Sequence, residues 1–461
     1  MRCLPVPPDG PFSATCATRG AVSRHARGMG AGPVRGAMLS GRHGGSPAPS
    51  GAGACPVAGP DATPVAVRPG PGAGEPPTGL RVPWEEPRRT APRRRLPAPS
   101  LLSPGVARDP YPLYRLLREE LPVVRDEVFG AWLVSRYADV RAALTRPRLV
   151  APPPGRTLTH MEGATHRAHR ALVEPGLRDR AVAALAAGTS RTAYVLARRV
   201  AVRHEADLVA EFCQWLPAAA VVAALGLPRE DAARVHAWCR DGLTHLGGRH
   251  RDLDAFLRPH LARRRAHPGE DLLSVLCAAE VDGRPLSDES VTGLVGSLLG
   301  GGGEATALAL AAFLANLLDH PRQLALVRER PELIPAAWTE SLRRDPPTPV
   351  VLRRAVRPVA VAGLPLPAGA TVACLVGSAG RDPARFADPD RYDLFRTDPG
   401  SLAHGAGRHA CLGAELACRT AEYGLRALLD ALPGLHWAPG FRPAPQGLLA
   451  RGPRTLLVRP G

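Results

Sequence analysis

LAHGAGRHACLGAELACRTAE, running from Leu402 to Glu422, is the stretch on which the reading of this chain turns. Gly405 and Gly407 open a bend that Cys411 closes. From Leu412 the pattern turns helical, with Leu416, Leu425, Leu428, Leu429 and Leu432 on one apolar face. Cys411 is therefore expected at a helix N-terminus, where free backbone N–H groups and the positive end of the dipole favour a thiolate, and where Arg408 and His409 add donors or charge. A stabilised thiolate is a metal ligand or a nucleophile. A lone buried Cys, by contrast, is more often just a small hydrophobe. His404, His409, Cys411 and Cys418 are all zinc-type ligands, but the paired, short-spaced knuckles of structural zinc sites are missing.

The spacing resembles the haem-binding loop of the cytochrome P-450 family of haem-thiolate monooxygenases, Phe-Gly-x-Gly-x-His-x-Cys-x-Gly. Gly405, Gly407, His409, Cys411 and Gly413 match it, and His404 stands where the Phe belongs. The resemblance implies a mostly α fold with a minor β-sheet, haem b as cofactor, Cys411 as the axial iron ligand, and His404 and His409 beside the cofactor. Its physical sense stands independently. Glycines let backbone approach a flat macrocycle, and peptide N–H groups aimed at sulfur tune the charge it donates.

Working outward, the chain of 461 residues is 45% apolar, enough for a sizeable core. It contains no lysine, so arginine carries the formal net charge of +17. Residues 1–100 hold 13 Arg against 5 acidic residues, or +8 of that total. That segment is rich in Pro, Gly, Ala and Arg without periodicity and is expected to be a disordered extension. Its cluster Arg88, Arg89, Arg93, Arg94 and Arg95 is open to two readings, a nucleic-acid arm or an extension read from too early a start codon, with Met29 or Met38 as the true start. No nucleic-acid partner is expected for the chain as a whole. Nine scattered cysteines fit a reducing compartment, and no apolar run near the N-terminus resembles a secretory signal, so a cytoplasmic location is expected.

One domain is expected over residues 105–461. It opens with an amphipathic helix capped by Asp109, a hairpin turning at Phe129-Gly130, and a helix over ADVRAALTRP. His166 and Arg170, four apart, share a helix face, and the resemblance directs both to haem propionates. Helical patterns from Val182 to about Pro268 are punctuated at Leu216-Pro217 and Leu227-Pro228. The resemblance places there the helices that cover the substrate cavity. Val291 to Leu318 is apolar enough to pose as a membrane span, but Glu304 and the four glycines Gly300–Gly303 favour a buried central helix, and no membrane partner is expected.

In the resemblance that helix crosses above the haem with an Ala/Gly-Gly-x-Glu/Asp-Thr pattern. Gly301 to Glu304 fit it, Ala305 replaces the Thr, and Thr306 lies about 100° further round. The acid and alcohol of the family together deliver protons, so Glu304, Ala305 and Thr306 are the candidate relay. Glu340 and Arg343 match the family's Glu-x-x-Arg pair, with Arg391 as the expected third member of a structural triad. Residues 350–383 alternate as strands turning at Gly363 and Gly369, and Arg353, with Arg354 as alternative, is implied to hold a propionate.

With no flavin motif or iron–sulfur cysteine set in the chain, the resemblance implies a ferredoxin and its reductase as partners. They would dock near Cys411, where Arg408 and Arg419 supply charge. The implied function is insertion of one oxygen atom from O2 into a small organic substrate, a polyketide, terpenoid or peptide secondary metabolite. The missing alcohol leaves a peroxide-dependent or rearranging enzyme open, as well as a haem-binding protein without turnover.

Overall fold

The computed structural model describes residues 99–151, 157–240, 250–397 and 400–461. The expected extension over residues 1–100, with its arginine cluster, lies outside the described residues save for its last two positions.

The architecture is built on the helix Asp288–Asp319, of 32 residues. The Ser287 side chain caps it by accepting from the Ser290 N–H, and its C-terminal half is buried almost without break from Thr306 to Leu318. A helix apolar all round belongs in a protein core or a membrane. Here it is core. Phe313 meets Trp338 edge-on with ring centroids 5.5 Å apart, and the same cluster takes in Cys418, Leu425 and Leu428 from the helix Ala414–Ala431. Gly302 lets the helix Trp215–Ala224 come close, since a Cβ there would stand 2.5 Å from Val221 Cγ2.

The minor sheet has five strands in the order Val123–Asp126, Ala131–Val134, Thr371–Leu375, Val350–Ala355, Leu149–Val150. All neighbours are antiparallel except Thr371–Leu375 against Ala131–Val134, which is parallel. The expected hairpin is its first pair, with Gly130 at φ +76° in the turn. Leu216-Pro217 does not punctuate: Pro217 sits in the first turn of Trp215–Ala224, where a missing N–H costs nothing. The break comes earlier, as a π-helical turn over Val209–Cys213.

Glu340 and Arg343, on the helix Ile334–Arg344, pair fork to fork at 2.7 and 2.8 Å with almost no exposure. The third member is Arg396, not Arg391. Arg396 Nε reaches both Glu340 oxygens at 3.2 and 3.1 Å, while the Arg391 side chain is exposed and only its carbonyl faces inward, accepting from Arg343 at 3.1 Å. The cause is the turn Asp388–Arg391, closed by Arg391 N–H to Asp388 C=O with Asp388 at φ +43°, which points the side chain out.

Candidate active site

The Cys411 loop folds on itself through backbone hydrogen bonds. Gly405 N–H donates to Leu402 C=O and Cys411 N–H to His404 C=O, both at 2.8 Å. Two glycines make this possible, Gly405 at φ +71° and Gly407 at φ +68°. A Cβ on Gly407 would also stand 3.1 Å from Thr145 Cγ2. The helix that follows begins at Ala414 with Gly413 as its N-cap. Cys411 therefore stands two residues ahead of the cap rather than in the first turn.

Cys411 keeps open surface although protein rings it, as a thiol lining a concavity would. Burial pushes its thiol up, and the Gly413 N–H and the charges of Arg170 and Arg178 pull it down without winning. The expectation that the protein alone favours the thiolate is thus corrected. A metal cation at the sulfur is what would reverse the balance.

The helix Gly163–Val173 presents His166 and Arg170 on one face, as their spacing predicts. Arg170 Nη1 donates to the carbonyls of Arg408, at 3.1 Å, and Ala410, at 2.8 Å, and its Nε reaches Glu174 at 3.3 Å. His166 is buried, its Nε2 finds no partner among the described residues, and its ring lies 4.3 Å from that of His409. Burial first, then the charges of His409 and Arg170, bring His166 down to about 4, so it is a neutral imidazole. Strand alternation puts Arg353 inside and Arg354 out in solvent. Arg353 Nη1 donates to Leu352 C=O at 2.9 Å, and no carboxylate among the described residues pairs with it. His404 is half-buried, and burial holds it near 4 as well.

One residue of the site carried no sequence-level signal. Glu162, just ahead of the helix Gly163–Val173, binds Arg408 Nε at 2.7 Å, Arg408 Nη2 at 3.3 Å and His409 Nε2 at 3.0 Å. Hydrogen bonds from Arg408 and His409 outweigh its burial and hold its carboxyl below the usual range. An acid at a helix start is commonplace, and only the fold brings it to residues 246 and 247 positions away. Arg408 is thereby ion-paired, and Arg419 pairs with Glu422 at 2.8 Å, so the positive charge expected at each is partnered by a carboxylate.

On the long helix, Gly301 is exposed with open space about its α-carbon, and Ala305, one turn on, is half-buried. Glu304 is half-buried and Thr306 buried. Gly301 and Ala305, one turn apart on the same face, therefore put almost no side chain there. Leu299 and Leu416 belong to one core cluster, against which Leu412 packs.

Among the described residues no three His, Cys, Asp or Glu side chains converge as a metal-ion site, which removes the zinc alternative. A single cysteine suffices only for a metal whose other ligands come with it. Arginines and orphaned imidazole nitrogen around that cysteine suit an anionic carrier.

Comparison with known proteins identifies the class. The Cytochrome P450 family model matches residues 248–432. Nocardicin C N-oxygenase of Nocardia uniformis subsp. tsuyamanensis is 35% identical over 77% of this chain and 96% of its own length. Cytochrome P450 monooxygenase PikC of Streptomyces venezuelae is 34% identical over 78% and 92%. The crystal structure of CalO2 superposes with a TM-score of 0.73 at 31% identity, covering 78% of this chain and 98% of that one. The chain belongs to the cytochrome P450 family. It is an oxidoreductase, a monooxygenase of a family that works through cysteine-ligated haem iron.

Proposed function

We propose that Cys411 Sγ is the axial ligand of a haem b, and that the enzyme inserts one oxygen atom from O2 into a small organic secondary metabolite, in the cytoplasm, with electrons from a ferredoxin and its reductase. The observation that carries this reading is the exposed Cys411 on a glycine bend, with the Gly413 N–H directed at its sulfur, and a buried Arg353 near Arg408 and His409 of the same loop that pairs with no carboxylate among the described residues. The haem, when bound, supplies the oxidising chemistry. The chain's residues do the rest. Arg353 and His166 offer donors to the haem carboxylates, and the Gly413 N–H moderates the charge on Cys411 Sγ. Gly301 and Ala305 leave room for substrate. The names of the relatives, an N-oxygenase of nocardicin C among them, support a secondary metabolite as substrate.

Proton delivery is where this chain departs from its family. Glu304 keeps the acid, but Ala305 has no hydroxyl, and Thr306 is buried in the core. A positioned acid–base group is typically worth about a hundredfold or more. The reading is that a hydroxyl of the substrate, with Glu304, completes the path. Under saturating substrate, NAD(P)H consumption with a surrogate ferredoxin should then couple well to product. Analogues lacking that hydroxyl should divert reducing equivalents to peroxide, and Ala305→Thr should restore coupling for them while crowding the native substrate. The second reading, favoured by the same missing hydroxyl, is a peroxide-driven enzyme. Product formed with peroxide but not with NAD(P)H and ferredoxin would select it.

The extension of residues 1–100 is proposed to be dispensable apart from its last two residues. Ser100 Oγ donates to Asp126 at 2.8 Å and Leu101 N–H at 2.9 Å, so the cut is best placed before Pro99. A chain beginning there should take up haem and melt with the full-length protein. A melting temperature several degrees lower would give the extension a structural role.

A further inference from the structure

A cleft of about 440 Å³ opens on the surface where the helix Ala186–Ala201 ends and the chain returns as the π-helical turn Val209–Cys213. Local geometry makes it concave. Asp207 Oδ1 accepts the N–H groups of Val209, at 2.9 Å, and of Leu456, at 2.8 Å, which fixes the start of the turn, and Gln214 N–H closes it on Val209 C=O at 3.1 Å. Phe212 and Cys213 are buried, so the outward positions fall to Glu211 and to Ala210, whose methyl group is too small to fill the hollow. Trp215, the first residue of the helix Trp215–Ala224, also lines the cleft, and its ring is held in place by stacking on the buried His236 at 3.8 Å and 5°. Single π-helical turns recur at functional sites, and this one serves nothing described so far.

The walls combine two chemistries. Trp215 is apolar and half-buried, and Val202 is 84% exposed. Beside them stand two guanidinium groups. Arg199 is exposed and pairs with no carboxylate among the described residues, while Arg203 has only Glu211, at 3.6 Å and so beyond hydrogen-bond length. A guanidinium fork takes a carboxylate through two parallel bonds, and a flat ring packs well on tryptophan. The volume lies within the range of small-molecule sites. The chain's own residues 1–100 suit the cleft poorly, because they carry a charge of +8 and would face two arginines. We propose that this cleft is a binding site for a small aromatic carboxylate, its carboxylate on Arg199 and its ring against Trp215 and Val202. The site is separate from that of Cys411, since none of the residues placed around Cys411 lines it.

Calorimetric titration of the full-length protein with 2-naphthoate tests this. One site per chain is expected, with an affinity that falls as salt is added. Losing a charge-assisted hydrogen bond corresponds to about tenfold in an equilibrium, so Arg199→Ala should raise the dissociation constant about tenfold. Val202→Asp sets a carboxylate against the ligand's own and should weaken binding at least as much. Both positions are exposed, so both variants should melt with the wild type. The uncharged 2-naphthylmethanol should bind about tenfold more weakly than the carboxylate. The proposal fails if 2-naphthoate does not bind at millimolar concentration or if the alcohol binds equally well. It fails too if either variant binds 2-naphthoate as the wild type does, which would put the ligand elsewhere on the protein. Two further results would give the cleft to another occupant and overturn it. Tighter binding of an oligoglutamate peptide, lost in Arg199→Ala, would make the cleft a protein-docking face, and a rise in 2-naphthoate affinity when the chain begins at Pro99 would make the preceding residues its occupant.

Discussion

Cys411→Ser is expected to abolish the far-red ferrous carbon monoxide Soret band and to reduce NAD(P)H-driven oxygenation to background. Thiolate donation is what displaces that band and favours O–O cleavage, and a serine hydroxyl neither ionises at neutral pH nor donates comparably. The substitution replaces one atom and leaves the loop standing. The bend depends on Gly405 and Gly407, and the hydrogen bond to His404 C=O comes from the backbone N–H of residue 411. Loss of the band with an unchanged melting temperature therefore reports ligation, not unfolding. Among the described residues the other free thiols are poor substitutes: Cys213, Cys277 and Cys374 are buried, and burial pushes Cys374 up to about 12 and Cys213 well above the usual thiol range. A serine variant that kept the band would remove Cys411 from the iron, and a wild-type spectrum of the histidine-ligated kind would do the same.

Which parts of this site were readable in the sequence follows from how each residue reaches it. Gly405, Gly407, His409, Cys411 and Gly413 lie within nine positions, and glycines at positive φ leave a mark no other residue type would. His166 and Arg170 share a face because a helix repeats every 3.6 residues, and Arg353 faces inward because a strand alternates. Such periodic rules predict direction. They fail where direction is set by an irregular turn, which is how Arg391 was expected where Arg396 sits. They also fail where a contact joins distant segments, as when Glu162 meets Arg408 and His409. The ionisation of Cys411 was misjudged for a third reason. The helix-end argument counts donors, whereas desolvation depends on everything packed around the sulfur, which no local pattern reports.

Glu340→Ala should have the largest effect on stability. The carboxylate is 2% exposed and faces two guanidinium groups, Arg343 fork to fork and Arg396 through Nε, while also accepting the Asp393 N–H at 3.0 Å. Removing one partner of a buried pair strands the other charges and costs about 3–5 kcal/mol. Against a total of about 5–15 kcal/mol, that is a large share of what keeps the chain folded. The damage should also reach the active site. Arg343 holds the carbonyls of Gly380, Pro389 and Arg391, and Arg396 those of Ala387, Asp388 and Arg391, so the pair organises the segment that leads into the Cys411 loop. Urea unfolding of Glu340→Ala should show the midpoint fall, with haem lost in the same transition. Arg396→Ala removes one cation at the rim and leaves the fork intact, so its loss should be about 1.5–3 kcal/mol. Arg391→Ala should stay within about 0.5 kcal/mol of wild type, since only its backbone carbonyl is used and its side chain is in solvent. The order Glu340, then Arg396, then Arg391 is the decisive measurement. If Arg391→Ala costs as much as Arg396→Ala, the residue that completes the triad has been assigned wrongly.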